Sequence, residues 1–219
     1  MSAEGEKKSE VVEESTEETI VKRDNADDGM ALSRQRVAEA KADKSGRVYT
    51  VYCDGVFDLF HVGHALMFKQ AKFALGAPEK THLIAGVCSD ELTRKYKGET
   101  VLDHKTRCES VANCKWVDEV APDAPWVLNA EFLEKYHVDF VAHDAIPYKS
   151  DDSDDVYSFV KQRGMFLETQ RTDGISTSDI VMQIVRDYDV YVDRNIDRGY
   201  TAEQLNLSFT NTVCSLSTR

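Results

Sequence analysis

From residue 47 onward, apolar and polar positions come in short blocks whose period switches between that of a strand and that of a helix. Val48–Cys53 (VYTVYC) is β-branched and aromatic, which predicts a strand. Gly63–Leu75 is a helix candidate closed by Gly76 and Pro78. His82–Val87 (HLIAGV) is a nearly continuous apolar run, as expected for a strand covered on both faces. Asp103–Asn113 predicts a helix with Asp103 as N-cap. Trp116–Val120 predicts a short strand, Asn129–Tyr136 a helix and Phe140–Ala142 a strand. Ser153–Arg163 predicts a helix stopped by Gly164, and Met165–Leu167 a strand. Apolar residues at 180, 181, 184, 185 and 188 give Thr177–Tyr191 a helical period, and Thr201–Leu205 starts a last short helix. Strands alternating with helices predict an α/β fold, a Rossmann-like doubly wound parallel sheet. Such sheets bind ligands beyond the carboxyl ends of their strands.

Composition changes the picture at the N-terminus. Residues 1–46 hold 12 acidic and 8 basic residues and no aromatics. So little apolar surface cannot offset the entropy of ordering, which predicts a disordered acidic arm, with a short helix over Ala31–Ala42 open to it. One domain over 47–209 and a short tail over 210–219 complete the expected layout. The formal net charge of −12 argues against general affinity for nucleic acid, which needs clustered Lys and Arg. No run approaches the ~18 apolar residues of a membrane span, and the acidic start lacks a secretory core. Five cysteines, at 53, 88, 108, 114 and 214, show no C-x-x-C spacing. Reduced thiols in a cytoplasmic or nuclear protein are expected, with Cys53 and Cys88 as small core hydrophobes.

The unusual polar clusters all follow predicted strands. After the first come His61 and His64, three residues apart at a helix start and therefore on one side of it. Gly63 between them lets a phosphate approach the backbone, and imidazole N–H groups can donate to phosphoryl oxygens. A metal pair would need a third ligand that is not evident, and a structural pair is the plain alternative. No G-x-G-x-x-G occurs here, which disfavours a dinucleotide site. After the second strand comes Arg94-Lys95-Tyr96-Lys97-Gly98, by itself an ordinary solvated loop, but placed where Lys97 can face a ligand. After the fourth come His143-Asp144-Ala145-Ile146-Pro147-Tyr148. After the fifth, Arg171-Thr172-Asp173-Gly174-Ile175-Ser176-Thr177 leads into a helix. Arg is fixed in charge and suits phosphate, and a helix start offers free N–H groups; capping by Ser176 or Ser178 is the plain reading. Together the clusters describe a polyphosphate site.

The H-x-G-H at His61–His64 and the RTDGISTS at 171–178 resemble the two signatures of the cytidylyltransferases, within the wider H-x-G-H nucleotidyltransferase superfamily. CDGVFDLFHVGH, GVCSDELTRKYKG, VDEVAPDAPW, DFVAHDAIPY, SDDVY, IVRDYDVY and RGYTAEQLN extend the likeness over about 47–209 to the members acting on phosphocholine. The resemblance implies a single nucleotidyltransferase domain and the reaction of CTP with phosphocholine to give CDP-choline and pyrophosphate. It implies catalytic roles for His61, His64, Lys97 and Arg171. It implies CTP contacts along Val56, Phe57, Asp58, Leu59, Phe60, Val62 and Gly63, at His143, Asp144 and Tyr148, and along Thr172, Asp173, Gly174, Ile175, Ser176 and Thr177. Phosphocholine would meet Lys97, Trp126, Asp144, Tyr148 and Tyr157. A quaternary ammonium cannot donate a hydrogen bond, so aromatic faces with a nearby carboxylate suit it; without the resemblance, Trp126 reads as a core residue. Mg²⁺ is implied as the companion of CTP and a homodimer as the assembly. The family's usual Glu stands as Asp at 173 and its frequent Asp as Ala at 145, while Val62 replaces a small polar residue.

A lipid-binding amphipathic tail is usual in such enzymes, and this chain ends instead in TNTVCSLSTR. The expectation is a soluble enzyme that does not need lipid. Phosphoethanolamine or glycerol 3-phosphate as acceptor, an adenylyltransferase, and a non-catalytic nucleotide-binding module are the competing readings. A tRNA synthetase is disfavoured by the short, acidic chain.

Overall fold

The computed structural model describes residues 28–146 and 155–207. The chain divides into two compact units, Met1–Asp173 and Gly174–Arg219. The first carries a helix over residues 28–42, α1. It continues through β1 (Tyr49–Gly55), α2 (Val62–Phe73), β2 (Thr81–Cys88), α3 (Asp90–Tyr96), α4 (His104–Ala112) and β3 (Glu119–Ala124). Then follow α5 (Ala130–Lys135), β4 (Phe140–Asp144), α6 (Ser158–Gln162) and β5 (Phe166–Thr169). All neighbouring strands are parallel, in the order β3-β2-β1-β4-β5. This is the doubly wound α/β sheet that the alternation of elements predicts.

Both faces of the sheet are covered, and β1 shows how. Val51 and Cys53 point into one apolar layer with Phe68, Leu83, Val87 and Val111. Tyr52, between them, points into the other with Ile84, Val141, Val160 and Phe166. Cys53 and Cys88 are buried core thiols as expected, and burial pushes Cys88 up to about 12.

Five sequence expectations shift. β3 begins three residues later than Trp116, which instead packs edge-on against Phe73 at 5.5 Å. Pro122 is tolerated because β3 is an edge strand, and its register slips by one residue opposite Val87 and Cys88. The 90–97 stretch is not a loop: Ser89 accepts the Leu92 N–H, acidic residues fill the first turn of α3 and basic ones the last. In the second unit, the single helix expected over 177–191 is two, α7 (Thr177–Arg186) and α8 (Tyr188–Asp197), broken at Asp187. Asp is a weak helix former whose side chain competes for local bonds, and here it accepts from Arg186 Nε at 3.2 Å. Residues 202–206 form turns rather than a helix, since so short a segment does not repay helix nucleation.

The N-terminal arm is the fifth to differ from expectation. Residues 28–46 are ordered and begin the first unit, whereas 1–27 and the tail over 210–219 lie outside the described residues. α1 packs through small residues. A Cβ on Gly29 would come within 2.5 Å of the Lys161 carbonyl, and Ser33 and Ala40 are buried. Ser33 Oγ donates to the Gly29 carbonyl at 2.9 Å and accepts the Phe166 N–H of β5 at 3.2 Å. Composition counts large apolar residues and is blind to this kind of packing.

Candidate active site

The strand order places a switch point between β1 and β4, from which the chain winds to either side. The candidate groups converge there and at the adjoining carboxyl ends. His61 and His64 follow β1, Lys97 follows β2, and Trp126 follows β3. His143 and Asp144 end β4, and Arg171 follows β5.

His61 is the N-cap of α2. Its Nδ1 accepts the Gly63 N–H at 3.1 Å, and its own N–H donates to His64 Nδ1 at 3.4 Å. The two rings stack with centroids 3.8 Å apart. Both Nδ1 atoms therefore act as acceptors, which leaves each neutral ring with its proton on Nε2. Burial lowers the pKa of His61. Burial also drives His64 down to about 3, helped by His61 and Lys97 against the opposing pull of Asp58. Two neutral N–H donors can serve a growing phosphoryl charge.

This neutrality has a consequence for stability. The folded pKa lies near 3 against 6.5 for an ordinary histidine, so the unfolded chain takes up a proton in that window and the folded chain does not. Stability from this group is present above pH 6.5 and is lost as the pH falls, by at most about 1.4 kcal/mol per pH unit. Urea unfolding at a series of pH values should show a steeper loss of stability between pH 6.5 and 3 in the parent than in His64→Asn. Equal slopes would mean that His64 is not held neutral.

The loop ahead of the histidines is strained. Phe57 and Leu59 have positive φ, 53° and 46°, each costing on the order of 1–3 kcal/mol. Phe57 is 3% exposed and packs against Phe68 and, edge-on, against His64. Phe60 lies on the same histidine at 5.6 Å. Asp58 is buried and accepts backbone N–H groups of Val101 and Leu102 at 2.7 and 2.9 Å. The side chains of Phe57 and Asp58, expected along the nucleotide, are thus turned inward to hold the loop.

Lys97 ends α3 as its C-cap. It stays solvent-accessible, yet the surrounding walls and the Arg171 guanidinium both lower its pKa. Arg171 Nε lies 3.5 Å from Asp144 Oδ2, and the arginine side chain is still 61% exposed, so it is free to turn to an anion. Its segment is fixed by Gln70 of α2, which accepts the Gln170 N–H at 2.8 Å and donates to the Gln170 carbonyl at 2.9 Å.

Beside Asp144, His143 stacks on Tyr157 at 4.5 Å, and the Tyr157 hydroxyl donates to Asp54 Oδ1 at 3.0 Å. Tyr157 is 5% exposed, so the structure makes it a wall behind His143 and a donor to Asp54. Burial raises the Asp54 pKa, which His143 and the Tyr157 bond oppose. Trp126 stacks on Tyr96 at 5.1 Å, next to Lys97. Val62 is exposed at the head of α2. Tyr148 lies outside the described residues. In the second unit Gly174 has φ +76°, and Ser176 caps α7 by accepting the Asp179 N–H while donating to its carboxylate at 2.7 Å. Thr177 is the first residue of that helix.

Sequence patterns miss four contributors: Asp54, Gln70, Tyr96 and the buried Arg107 of α4. Asp54 and Tyr96 stand inside CDGVFDLFHVGH and GVCSDELTRKYKG, and membership of those motifs is the signal that would have found them. Gln70 and Arg107 carry none. Among the described residues, no group of three or more His, Cys, Asp or Glu could hold a metal, and no helix is long and apolar enough to cross a membrane.

The sequence profile of the cytidylyltransferase-like family matches residues 52–183. The chain belongs to that family. Choline-phosphate cytidylyltransferase 2 of Arabidopsis thaliana is 54% identical over 176 residues, which are 80% of this chain and 57% of that protein. Choline-phosphate cytidylyltransferase A of Rattus norvegicus is 58% identical over 165 residues, 75% of this chain and 44% of that protein. Ethanolamine-phosphate cytidylyltransferase of Mus musculus is 40% identical over 144 residues, 66% of this chain and 34% of that protein. This cytidylyltransferase-like chain spans about half the length of the choline-phosphate relatives it matches. The matched region runs from β1 into α7 and carries every strand of the sheet.

Proposed function

We propose that the chain transfers the cytidylyl group of CTP to phosphocholine, releasing pyrophosphate. The stacked, neutral histidine pair beside Lys97 and Arg171 carries this reading. The acceptor is favoured by identity, 54% and 58% to the choline-phosphate proteins against 40% to the ethanolamine-phosphate one.

The phosphate of phosphocholine attacks the α-phosphorus in line as the pyrophosphate leaves. The nucleophile is already an anion, so no strong general base is needed, and positioning and charge stabilisation do the catalysis. Lys97 offsets the repulsion between two anions. The Nε2–H groups of His61 and His64 donate to the oxygens on which charge grows. Arg171 turns from Asp144 toward the phosphates. Trp126, with Tyr148 and the carboxylate of Asp144, supplies the aromatic and anionic surroundings of a quaternary ammonium, while Tyr157 backs His143.

Mg²⁺ would enter this site as the companion of the triphosphate. Asp54 and Asp58 are engaged by Tyr157 and by backbone N–H groups, so phosphate oxygens and water would hold the ion. It would neutralise phosphate charge when bound. A homodimeric, cytoplasmic enzyme completes the reading.

Labelled CTP offered in parallel with phosphocholine, phosphoethanolamine and glycerol 3-phosphate tests it. Phosphocholine should be turned over with the highest kcat/KM. A preference for another acceptor would reassign the substrate, and no turnover of any would leave a nucleotide-binding module.

A further inference from the structure

Two buried charged side chains tie together segments that are far apart in the chain. Arg107 is fully buried in α4. One guanidinium nitrogen donates to the Val56 carbonyl at 2.5 Å, in the loop leading to the histidines. The other donates to the Cys88 carbonyl at 2.8 Å and to Asp90 Oδ1 at 2.7 Å, at the end of β2 and the first turn of α3. Asp90 Oδ2 in turn accepts the His104 N–H at 3.0 Å. Asp58, 6% exposed, works in the opposite sense. It reaches out of the histidine loop to the Val101 and Leu102 N–H groups, beyond the far end of α3. Between the two attachments lie Lys97 and Gly98, the latter with φ +115°. The Lys97 segment, residues 90–102, is thus fastened to the histidine loop, residues 56–61, at both of its ends.

Apolar residues of similar volume often stabilise a fold as well as a buried charged group does, so stability alone does not account for Arg107 and Asp58. What the charged groups provide is direction, because their bonds to the Val56, Cys88, Val101 and Leu102 backbone and to the Asp90 carboxylate end in or beside the segments that carry the proposed catalytic groups. We propose that Arg107, with Asp90, and Asp58 are positioning residues that hold Lys97 and the histidine pair as one rigid body. They touch no substrate; what they set is the placement of Lys97 relative to the histidine pair. This rests on the reaction proposed above.

Asp58→Asn, Asp90→Asn and Arg107→Lys test it, each made in the parent and in Lys97→Ala. In the parent each should lower kcat about tenfold to a hundredfold, as a misplacement of about 1 Å does, with the KM for CTP within about threefold. In Lys97→Ala, the same substitution should cost less than about threefold, because the group it positions is gone. Losses that multiply in full would show a merely structural role and overturn the proposal. If Arg107→Lys fails to fold, the two Asn variants carry the test.

Hydrogen exchange gives a readout that needs no substrate. In Asp58→Asn the amides of 56–61 and 90–102 should lose protection together, with the strands unchanged. Loss spread over the whole unit, or confined to one segment, overturns the proposal. An inactive parent with joint loss of protection would defeat the reaction assigned above and leave the two attachments standing.

Discussion

If the proposed reaction holds, His64→Ala should lower turnover on the order of 10²–10³-fold, with KM for CTP changed far less. The nucleotide meets many groups in the ground state, whereas the Nε2–H bond strengthens only as charge grows on the phosphoryl oxygens. The variant also leaves a gap between Phe57, Phe60 and His61, so folding must be verified by far-UV circular dichroism. His64→Asn, which keeps an N–H donor of similar reach, should recover part of the loss. Lys97→Ala should fall comparably, because repulsion between two anions is then unopposed. Steady-state kinetics decide: both alanine variants within about threefold of the parent would remove these groups from catalysis.

Gly86→Ala should be among the most destabilising single substitutions in the sheet, by more than about 3 kcal/mol. Gly86 lies in β2, paired on one side with Asp54 and on the other with Ala121. A Cβ there would stand 1.9 Å from the Tyr52 hydroxyl oxygen and 2.4 Å from the carbon bearing it. Tyr52 is fully buried and edge-packed on Phe132 at 5.2 Å, so its ring has nowhere to go. The same hydroxyl has no hydrogen-bond partner among the described residues. Tyr52→Phe should therefore raise stability by about 1 kcal/mol by itself. Combined with Gly86→Ala it should recover part of the loss but not all, since the ring carbon still clashes. Urea unfolding of the four chains forms a double-mutant cycle. A Gly86→Ala chain within about 1 kcal/mol of the parent would mean that β1 and β2 yield more readily than a packed parallel sheet should.

Those two cases bracket what the amino-acid pattern makes legible. That the histidines, Lys97 and Arg171 follow strands is readable from the order of elements, and their residue types suit the phosphate chemistry proposed for them. The parallel sheet was readable because β-branched runs alternate with helical ones. Gly86 gives no such sign, because its necessity comes from a tyrosine on the neighbouring strand. Arg107 reads as one more charge on a polar helix, and only the fold turns it inward. The break at Asp187 is a one-residue event that a periodicity over fifteen residues averages away. Ser89-Asp90-Glu91 was the opposite case. The cap and the acidic first turn were in plain view, and the basic residues that follow them drew attention to a loop instead.

α1 also sets where this fold can safely begin. The sharpest change in composition falls at Arg47, and a chain started there would keep all five strands and every group from His61 to Arg171. It would also lose the Ser33 hydroxyl from the Phe166 N–H and uncover the outer rim of β5. A bare strand rim is a template for a second molecule. Such a shortened chain would hold its chemistry intact and still be drawn into edge-to-edge association. A helix built from Gly29, Ser33 and Ala40 thus closes the edge of β5 to strand pairing.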